Sequence, residues 1–428
     1  MTLSSGVVVG GKFVLGARIG QGAFGVIWQG SAVDDPLALC AVKVESKEVR
    51  PSQLRREVAV YRALGCCADA GQAPPAGFPR LLWDGEVEDC AVLVTDLLGA
   101  SVEDLLNYTA RKFSPQTVLR IAEQALLRIE ALHAAGFVHC DIKPENLLVG
   151  YGSLRTVPQT IHLIDFGLSK PVAAGAGAGK SVAFQGSVRF GSTRALQSQE
   201  QGRADDLESL GFMIVYLLRG GTLPWEMKQQ VLVGLHHKRG EDHQFFGNMG
   251  VNENARARSV DSLLHQKLDM TVAQIVVGLP RGLALFFEAV RSLPPGATPD
   301  YDALRALLSR MASPARAAEP FDWCEPKHVL RRGVRGYLPL HLQSLFDVEI
   351  RAEGAKMREK VAGMQRQMAA AQVARQRQQA QPVAMPGLPA SSSTAAGGPR
   401  SVAAAAPAAA AAADADDGIV YGTSYRPR

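Results

Sequence analysis

The sequence lacks a cysteine framework and lacks long apolar runs. Its six cysteines, at positions 40, 66, 67, 90, 140 and 324, show no Cys-x-x-Cys pair and no disulfide-like spacing, which indicates reduced thiols in an intracellular protein. No run of eighteen apolar residues occurs, and the first residues have neither the basic nor the apolar region of a signal peptide. These absences predict a soluble protein without a transmembrane segment, in the cytoplasm with the nucleus as a second compartment.

A strong charge of either sign is also missing. The chain has 46 Lys and Arg residues against 41 Asp and Glu residues, a net charge of +5. Residues 351–380 hold seven basic and two acidic residues, so this segment accounts for the whole excess. A broadly basic body that binds nucleic acid directly is therefore not expected. The basic segment is predicted to be a solvated helix face, with contact to an acidic partner or a membrane surface as the alternative.

What the chain does have is a pair of polar motifs separated by eighteen residues: His139-Cys140-Asp141-Ile142-Lys143-Pro144-Glu145-Asn146 and Asp165-Phe166-Gly167. Mg²⁺ prefers hard oxygen ligands, and Asn146 and Asp165 offer them. Asp141 is suited to orient an attacking hydroxyl and to accept its proton. Lys143 is close enough in sequence to reach a transferred phosphate. The order and spacing of these residues predict phosphoryl transfer, with Asp141 and Lys143 as catalytic residues.

A glycine-rich stretch lies nearer the N-terminus, between strand-like runs at 13–19 and 26–30. Glycines allow a tight hairpin whose backbone N–H groups approach phosphate oxygens, because no Cβ intervenes. Val26 continues a strand rather than opening a helix, which favours the nucleotide loop of a kinase over that of a dinucleotide-binding fold. The predicted ATP-binding residues here are Ile19, Gly20, Gln21, Gly22, Ala23, Phe24, Gly25 and Val26.

The apolar run at 39–44 contains a single charge, Lys43. A lysine in a buried strand is costly unless it is paired, and the predicted partner is Glu57 in an amphipathic helix at 53–61. This ion pair would hold Lys43 against the α- and β-phosphates of ATP. A second strand at 90–95 leads into a predicted hinge whose backbone would bind adenine. Further predicted ATP-binding positions on these two strands and the hinge are Ala41, Thr95, Asp96 and Leu98.

Helix signals dominate the chain after the hinge. Ser101 and Ser114-Pro115 are predicted to begin two helices, since Ser is a preferred N-cap and Pro a preferred first residue. A later apolar helix contains Asp206, which is expected to brace the backbone of the loop around Asp141. Composition changes after residue 323, and the last residues are rich in Ala, Pro and Ser.

Several blocks are similar to the casein kinase 1 family: residues 96–105, Arg111-Lys112-Phe113-Ser114, residues 205–211, Leu218-Arg219-Gly220, Leu223-Pro224-Trp225, Pro299-Asp300-Tyr301 and Phe321-Asp322-Trp323. The likeness covers about residues 12–323. It implies a bilobal α+β protein kinase fold and a monomeric Ser/Thr kinase. The implied cofactors are ATP and Mg²⁺, the implied substrates are proteins with Ser or Thr near acidic or phosphorylated residues, and the C-terminal tail can regulate activity.

The corresponding domain prediction has five parts: an N-terminal segment at 1–11, a small β-rich N-lobe at 12–98, a larger helical C-lobe at 99–323, a helical basic extension at 324–380 and a disordered tail at 381–428. The resemblance also implies that Arg189 and Lys238 hold a substrate anion beside the active site. Arginine suits this role because it is always charged and binds phosphate bidentately.

The sequence departs from the family at three places. Cys140 replaces an arginine that bridges the catalytic and activation loops, residues 186–194 alter the peptide platform, and Thr95 stands where a bulkier residue is usual. The first two changes affect substrate docking and catalytic efficiency without removing a group that touches ATP. The alternative to an active kinase is therefore a catalytically weak pseudokinase that acts as a nucleotide-binding scaffold.

Overall fold

A computed structural model of the chain describes residues 3–22, 25–49, 51–70, 73–152, 160–172, 182–226, 265–311 and 320–324, together with seven single residues between 342 and 371. The chain divides into two units, Met1–Met364 and Gln365–Arg428. The described residues of the second unit, at 366, 367, 370 and 371, are helical. The predicted domain boundaries stay predictions.

The N-terminal part is an antiparallel sheet of six strands in the order β1-β2-β3-β4-β6-β5. Buried and partly buried residues alternate along β4, as a strand with one face on the core requires. Val9, Leu15, Val42, Val92 and Val94 form the centre of its apolar cluster. The strand bounds are Val8–Val9 (β1), Phe13–Gly22 (β2), Gly25–Ala32 (β3), Leu39–Ser46 (β4), Leu81–Val87 (β5) and Cys90–Asp96 (β6).

The part that follows is mostly helical. Its two long helices pack together, and nearly all of their buried apolar side chains are inaccessible to solvent. The helix bounds, with the one helix of the N-terminal part first, are Gln53–Ala63 (α1), Val102–Tyr108 (α2), Pro115–Ala134 (α3), Thr193–Leu196 (α4), Arg203–Leu218 (α5), Val272–Ile275 (α6), Arg281–Arg291 (α7) and Tyr301–Met311 (α8). A mixed α+β fold with a β-rich N-terminal part is as predicted.

Short strands and turns place the polar motifs between these two parts. One small sheet has the order β10-β9-β7 and another pairs β11 with β8. The strand bounds are Leu98–Ser101 (β7), Phe137–Val138 (β8), Leu147–Gly150 (β9), Ile161–Leu163 (β10) and Lys170–Pro171 (β11). Single 3₁₀ turns span Ala68–Ala70, Pro144–Asn146, Phe166–Leu168 and Asp322–Cys324.

The predicted helix starts are confirmed. The Ser101 side chain accepts a hydrogen bond from the N–H of Asp104, and the Asp104 carboxylate accepts one from the N–H of Ser101. Ser114 caps α3 in the same way through the N–H of Thr117. Within the described part of the chain, none of the helices combines the length and apolar character needed to cross a bilayer.

Candidate active site

The glycine-rich stretch forms the β2–β3 hairpin at the top of the site. Gln21 pairs with Val26 and Gly22 with Gly25 across the turn. Gly25 must be glycine, because a Cβ there would lie 2.3 Å from the carbonyl oxygen of Val44 on β4. Ile19 and Gly20 continue β2 toward the same turn. Ala23 and Phe24 lie outside the described residues. The hairpin therefore lies close over β4, the strand that carries Lys43.

Lys43 joins two carboxylates from different parts of the fold. Its Nζ lies 2.7 Å from Oε2 of Glu57 on α1 and 2.8 Å from Oδ1 of Asp165. Burial would lower the pKa of Lys43, but the charges of Glu57 and Asp165 outweigh it and raise the pKa above its usual value. The predicted Lys43–Glu57 ion pair is confirmed. Lys43 is consequently a permanent cation at the centre of the site.

A second residue of β4, Glu45, holds the start of α1. Its buried carboxylate accepts hydrogen bonds from Ser52 Oγ at 2.5 Å and from the N–H groups of Gln53 at 3.0 Å and Leu54 at 3.3 Å. These N–H groups begin the helix and have no partner within it, and a negative charge there also complements the helix dipole. Strand β4 thus fixes α1 at its first turn and again at Glu57.

Asp165 adopts a left-handed backbone conformation, with φ 65° and ψ 67°. This conformation is uncommon for a residue other than glycine and often marks a functional site. The next residue, Phe166, is inaccessible to solvent and meets the Tyr61 ring of α1 at 5.1 Å and the His139 ring at 5.4 Å. While Phe166 points into the core, the Asp165 side chain remains 41% exposed and faces Lys43.

Asp141 is the buried acid of the loop beneath Lys43. Its Oδ2 accepts a hydrogen bond from Lys143 Nζ at 2.6 Å, and the Asn146 side chain donates to its backbone oxygen at 2.9 Å. The other carboxylate oxygen, Oδ1, is buried and has no hydrogen-bond partner. Burial would lower the pKa of Lys143, but the Asp141 charge outweighs it and raises the pKa. The loop thus holds a buried carboxylate oxygen without a hydrogen-bond partner beside a cation.

Asp206 of α5 braces this loop, as the sequence predicts. Its carboxylate accepts hydrogen bonds from the N–H groups of His139 at 2.7 Å and Cys140 at 2.8 Å, and from His133 Nε2 at 2.9 Å. Burial would raise the pKa of Asp206, but the hydrogen bond and charge of His133 help to hold it below its usual value. Cys140 has a positive φ of 70°, and its thiol is 3.9 Å from the oxygen of Val138.

The predicted hinge residues lie where β6 meets β7. Ala41 and Thr95 are opposite one another on β4 and β6. The Asp96 carboxylate binds the Arg80 guanidinium, with Nη2 to Oδ1 at 2.8 Å. The Asp96 side chain is therefore engaged, and its backbone N–H also donates to the Arg80 oxygen at 3.2 Å. Leu98 begins β7 opposite Gly150.

Residues Gly186–Gly191, here called the platform loop, reach the site from the other side. Gly186 lies against the catalytic loop, since a Cβ there would be 2.5 Å from the Cys140 oxygen, and its φ is +110°. Arg189 is not free: its Nε lies 2.6 Å from Oε1 of Glu226. Burial would lower the pKa of Arg189, but the Glu226 charge outweighs the effect of burial and raises that pKa above its usual value. Lys238, its predicted companion, lies outside the described residues.

The described residues contain no group of three or more His, Cys, Asp or Glu side chains that could hold a metal ion by themselves. Mg²⁺ in nucleotide sites does not need one, because it keeps water and phosphate oxygens among its ligands. One partly exposed carboxylate, Asp165, and the Asn146 amide oxygen fit that limited role. Asn146 is buried, and its Nδ2 already donates to Asp141, which leaves the oxygen as the ligand atom.

Three contributors to the site carried no clear signal in the sequence. Glu45 was indistinguishable from any polar residue at the end of a strand. Glu226 pairs with Arg189 across 37 residues. Lys267 donates hydrogen bonds to the platform loop from 76 to 79 residues away.

A comparison with protein-family models finds a match to this chain. The model described as the protein kinase domain matches residues 13–270, which is more than half of the 428 residues. The matched range begins with the first residue of β2 and contains the hairpin, Lys43, Glu57, the two polar motifs and the platform loop.

Proposed function

The chain belongs to the protein kinase family, and we propose that it is a Ser/Thr protein kinase of the casein kinase 1 type. The proposed cofactors are ATP and Mg²⁺, and the proposed substrates are proteins with Ser or Thr near acidic or phosphorylated residues. Support for this assignment comes from the sequence blocks shared with that family and from Lys143 beside Asp141. We further propose a monomeric enzyme of the cytoplasm and nucleus.

The observation that carries the proposal is the unpartnered Oδ1 of Asp141. This oxygen is buried, and a buried acceptor without a hydrogen bond is unfavourable by about 1–3 kcal/mol. The hydroxyl group of a substrate would supply the missing donor. Its proton would then pass to a carboxylate that is already oriented by the loop. Its place beside Lys143, in the motif that also holds Asn146, distinguishes this oxygen from other buried atoms without a hydrogen-bond partner, such as Nε1 of Trp225.

The other residues have complementary tasks. When bound, ATP would supply the phosphoryl group, and Mg²⁺ would neutralise part of the charge of the ATP phosphates. Lys43 donates to phosphate oxygens from a position fixed by Glu57. Asp165 and Asn146 offer the metal ligands, and Lys143 places a positive charge where negative charge develops during transfer.

The alternative, a nucleotide-binding scaffold with weak catalysis, is favoured by Cys140. A thiol cannot replace the charged hydrogen bonds that an arginine makes at this position. The loop nevertheless keeps its conformation, because Asp206 binds the Cys140 N–H directly. The bracing of the loop therefore does not depend on the side chain at position 140, which supports an active enzyme.

Incubation with labelled ATP, Mg²⁺ and casein separates the two possibilities. We expect incorporation of label on serine and threonine by the wild type. The Asp141→Asn variant should lose roughly 10²- to 10⁴-fold in kcat while still binding nucleotide, because only the proton acceptor changes. Nucleotide binding is followed by thermal shift. Equal labelling by wild type and variant would reveal a contaminating kinase, and no labelling by a wild type that binds ATP would favour the scaffold.

A further inference from the structure

Lys267 is a fully buried lysine beneath the platform loop. Its Nζ donates hydrogen bonds to the backbone oxygens of Gly191 at 2.5 Å, Arg189 at 3.0 Å and Val188 at 3.5 Å. The ammonium also lies over the rings of Phe212, at 4.1 Å from its centroid, and Trp225, at 4.6 Å. A cation in this position is held by carbonyl dipoles and ring faces.

No carboxylate of the described residues lies within ion-pair distance of this ammonium. The charged groups that face it are Glu208 of α5, Glu226 beside Trp225 and Arg291 of α7. The two carboxylates are engaged elsewhere: Glu226 pairs with Arg189, and Glu208 pairs with Arg291 at 2.7 Å. The direct partners of the Lys267 ammonium among the described residues are therefore the loop carbonyls and the two aromatic rings. Burial lowers the pKa of Lys267 to about 7, although the two carboxylates oppose this effect.

The loop that Lys267 binds contacts the catalytic loop at its start and leads into α4 at its end. Gly186 at its start packs against Cys140, and Ser192 directly after it caps α4. Phe190 points inward and meets the Tyr216 ring of α5 at 5.2 Å. The three carbonyls bound by Lys267 lie between these fixed points. The start of this segment borders Asp141, since a Cβ at Gly186 would lie 3.7 Å from Asp141 Oδ1, so a substrate peptide that presents a hydroxyl to Asp141 would lie near it.

We propose that Lys267 is a positioning residue for the peptide substrate: its ammonium binds three carbonyl oxygens of the platform loop and so fixes that loop beside Asp141. The inference rests on the proposed kinase function. An ammonium has three N–H donors for the three carbonyls, whereas a neutral amine has two donors and a lone pair. In the neutral form the lone pair would face a carbonyl oxygen, and the two would repel. The loop is therefore held most tightly when Lys267 is charged.

The test measures the binding of an unreactive peptide, so that it does not depend on catalysis. The probe is a fluorescent acidic peptide that has alanine at the target position and contains no histidine. Its affinity is measured by anisotropy at pH 6.5 and pH 8.5 for the wild type and for Lys267→Met, a neutral side chain of similar length. The matched control is Arg219→Met, which removes a cation that donates to the backbone oxygen of Val277 at 2.8 Å, away from the platform loop.

At pH 6.5, Lys267→Met should weaken peptide binding about tenfold, the typical effect of losing a charge-assisted hydrogen bond. The thermal shift that an ATP analogue produces should be the same in Lys267→Met as in the wild type. Wild-type affinity should fall between pH 6.5 and 8.5, whereas Lys267→Met should show no such fall. Arg219→Met should behave as the wild type in both respects.

Equal peptide affinity of wild type and Lys267→Met at pH 6.5 would overturn the inference, as would the same pH dependence in both. If Lys267→Met does not fold, Lys267→Gln takes its place at pH 6.5: weakened peptide binding supports the proposal, and wild-type affinity overturns it. A wild type that binds peptide but transfers no label to casein refutes the proposed function and leaves the result for Lys267 intact.

Discussion

The two sides of the active site are stabilised by different means. On the nucleotide side, Lys43 meets two carboxylates, and a third, Glu45, meets the first N–H groups of α1. On the peptide side, Lys267 meets three neutral carbonyl oxygens in a fully buried position. Opposite charges raise the pKa of Lys43, whereas burial lowers that of Lys267.

This difference means that the two sides respond differently to their surroundings. The charge of Lys43 persists over the whole neutral range, so the nucleotide side is assembled before any ligand binds. The charge of Lys267 changes within that range, so the peptide side is adjustable. The following experiments test whether the two sides are as independent as this contrast requires.

The largest effect is expected from the nucleotide side. Lys43→Met would remove the proposed phosphate contact and Asp165→Asn would weaken the proposed metal site, so each should lower kcat/KM roughly 10³-fold, the size of effect expected when one electrostatic contact to a transition state is removed. The assay is phosphorylation of casein. Affinity for the unreactive peptide should stay as in the wild type. If either variant also lost peptide affinity, the two sides would be coupled and the contrast would fail.

An intermediate effect is expected at Arg189. Matched peptides carry either phosphoserine or alanine three residues before the target serine. Arg189→Ala should lose roughly ten- to a hundredfold in kcat/KM on the phosphorylated peptide only, because a charge-assisted contact contributes about 1.5–3 kcal/mol.

The companion variant is Glu226→Gln, since Glu226 competes with any anion for Arg189. Glutamine keeps an acceptor for the N–H of Leu223, which the native carboxylate binds at 3.0 Å. Preference for the phosphorylated peptide should therefore increase in Glu226→Gln. A wild type that uses both peptides equally, with no change in either variant, would show that Arg189 is a structural cation.

The smallest effect concerns stability. The pKa of Lys267 is about 7 in the folded protein against 10.5 ordinarily, so between these values the unfolded chain binds the additional proton. The free-energy cost of burying the charged ammonium applies in full below pH 7 and declines as the pH rises. This residue therefore makes the free energy of unfolding increase with pH. The slope is at most about 1.4 kcal/mol per pH unit.

Denaturant unfolding of wild type and Lys267→Met at pH 6.5, 7.5 and 8.5 measures this contribution. The difference in unfolding free energy, wild type minus variant, should increase with pH while peptide affinity decreases. Opposite trends in these two quantities distinguish a positioning cation from one that only stabilises the fold. A difference that is constant with pH would mean that Lys267 keeps its proton throughout.

The predictable parts of the site were recognisable from residue type or from spacing along the sequence. Lys43 stood out because a charge in an apolar strand requires a partner, and Glu57 was available fourteen residues later. Asp206 and the two polar motifs were recognisable by spacing. Lys267 was not, because its partners are backbone oxygens, which any residue type provides. Positive φ at Asp165 and Cys140 also leaves no trace in the residue type.

The fold shows the same division. Helix starts at Ser101 and Ser114 were readable because capping is a local interaction between neighbours in sequence. The pairing of Arg189 with Glu226 depends on how the platform loop meets the turn after α5, which local patterns do not determine. Local capping and motif spacing were therefore readable from the sequence, and so was the brace that Asp206 provides 67 residues from His139. Contacts with backbone oxygens and contacts between loops were missed.

The anchoring of α1 by Glu45 has a consequence for inhibitors. Compounds that occupy a pocket behind the hinge by displacing this helix would have to break the Lys43–Glu57 ion pair and also release Ser52, Gln53 and Leu54 from a buried carboxylate. Each hydrogen bond to a charged group contributes about 1.5–3 kcal/mol, so such compounds start at a disadvantage. Ligands that leave α1 in place and extend toward Thr95 do not disturb these contacts. Selective chemistry against this protein is better directed at the small side chain of Thr95 than at movement of the helix.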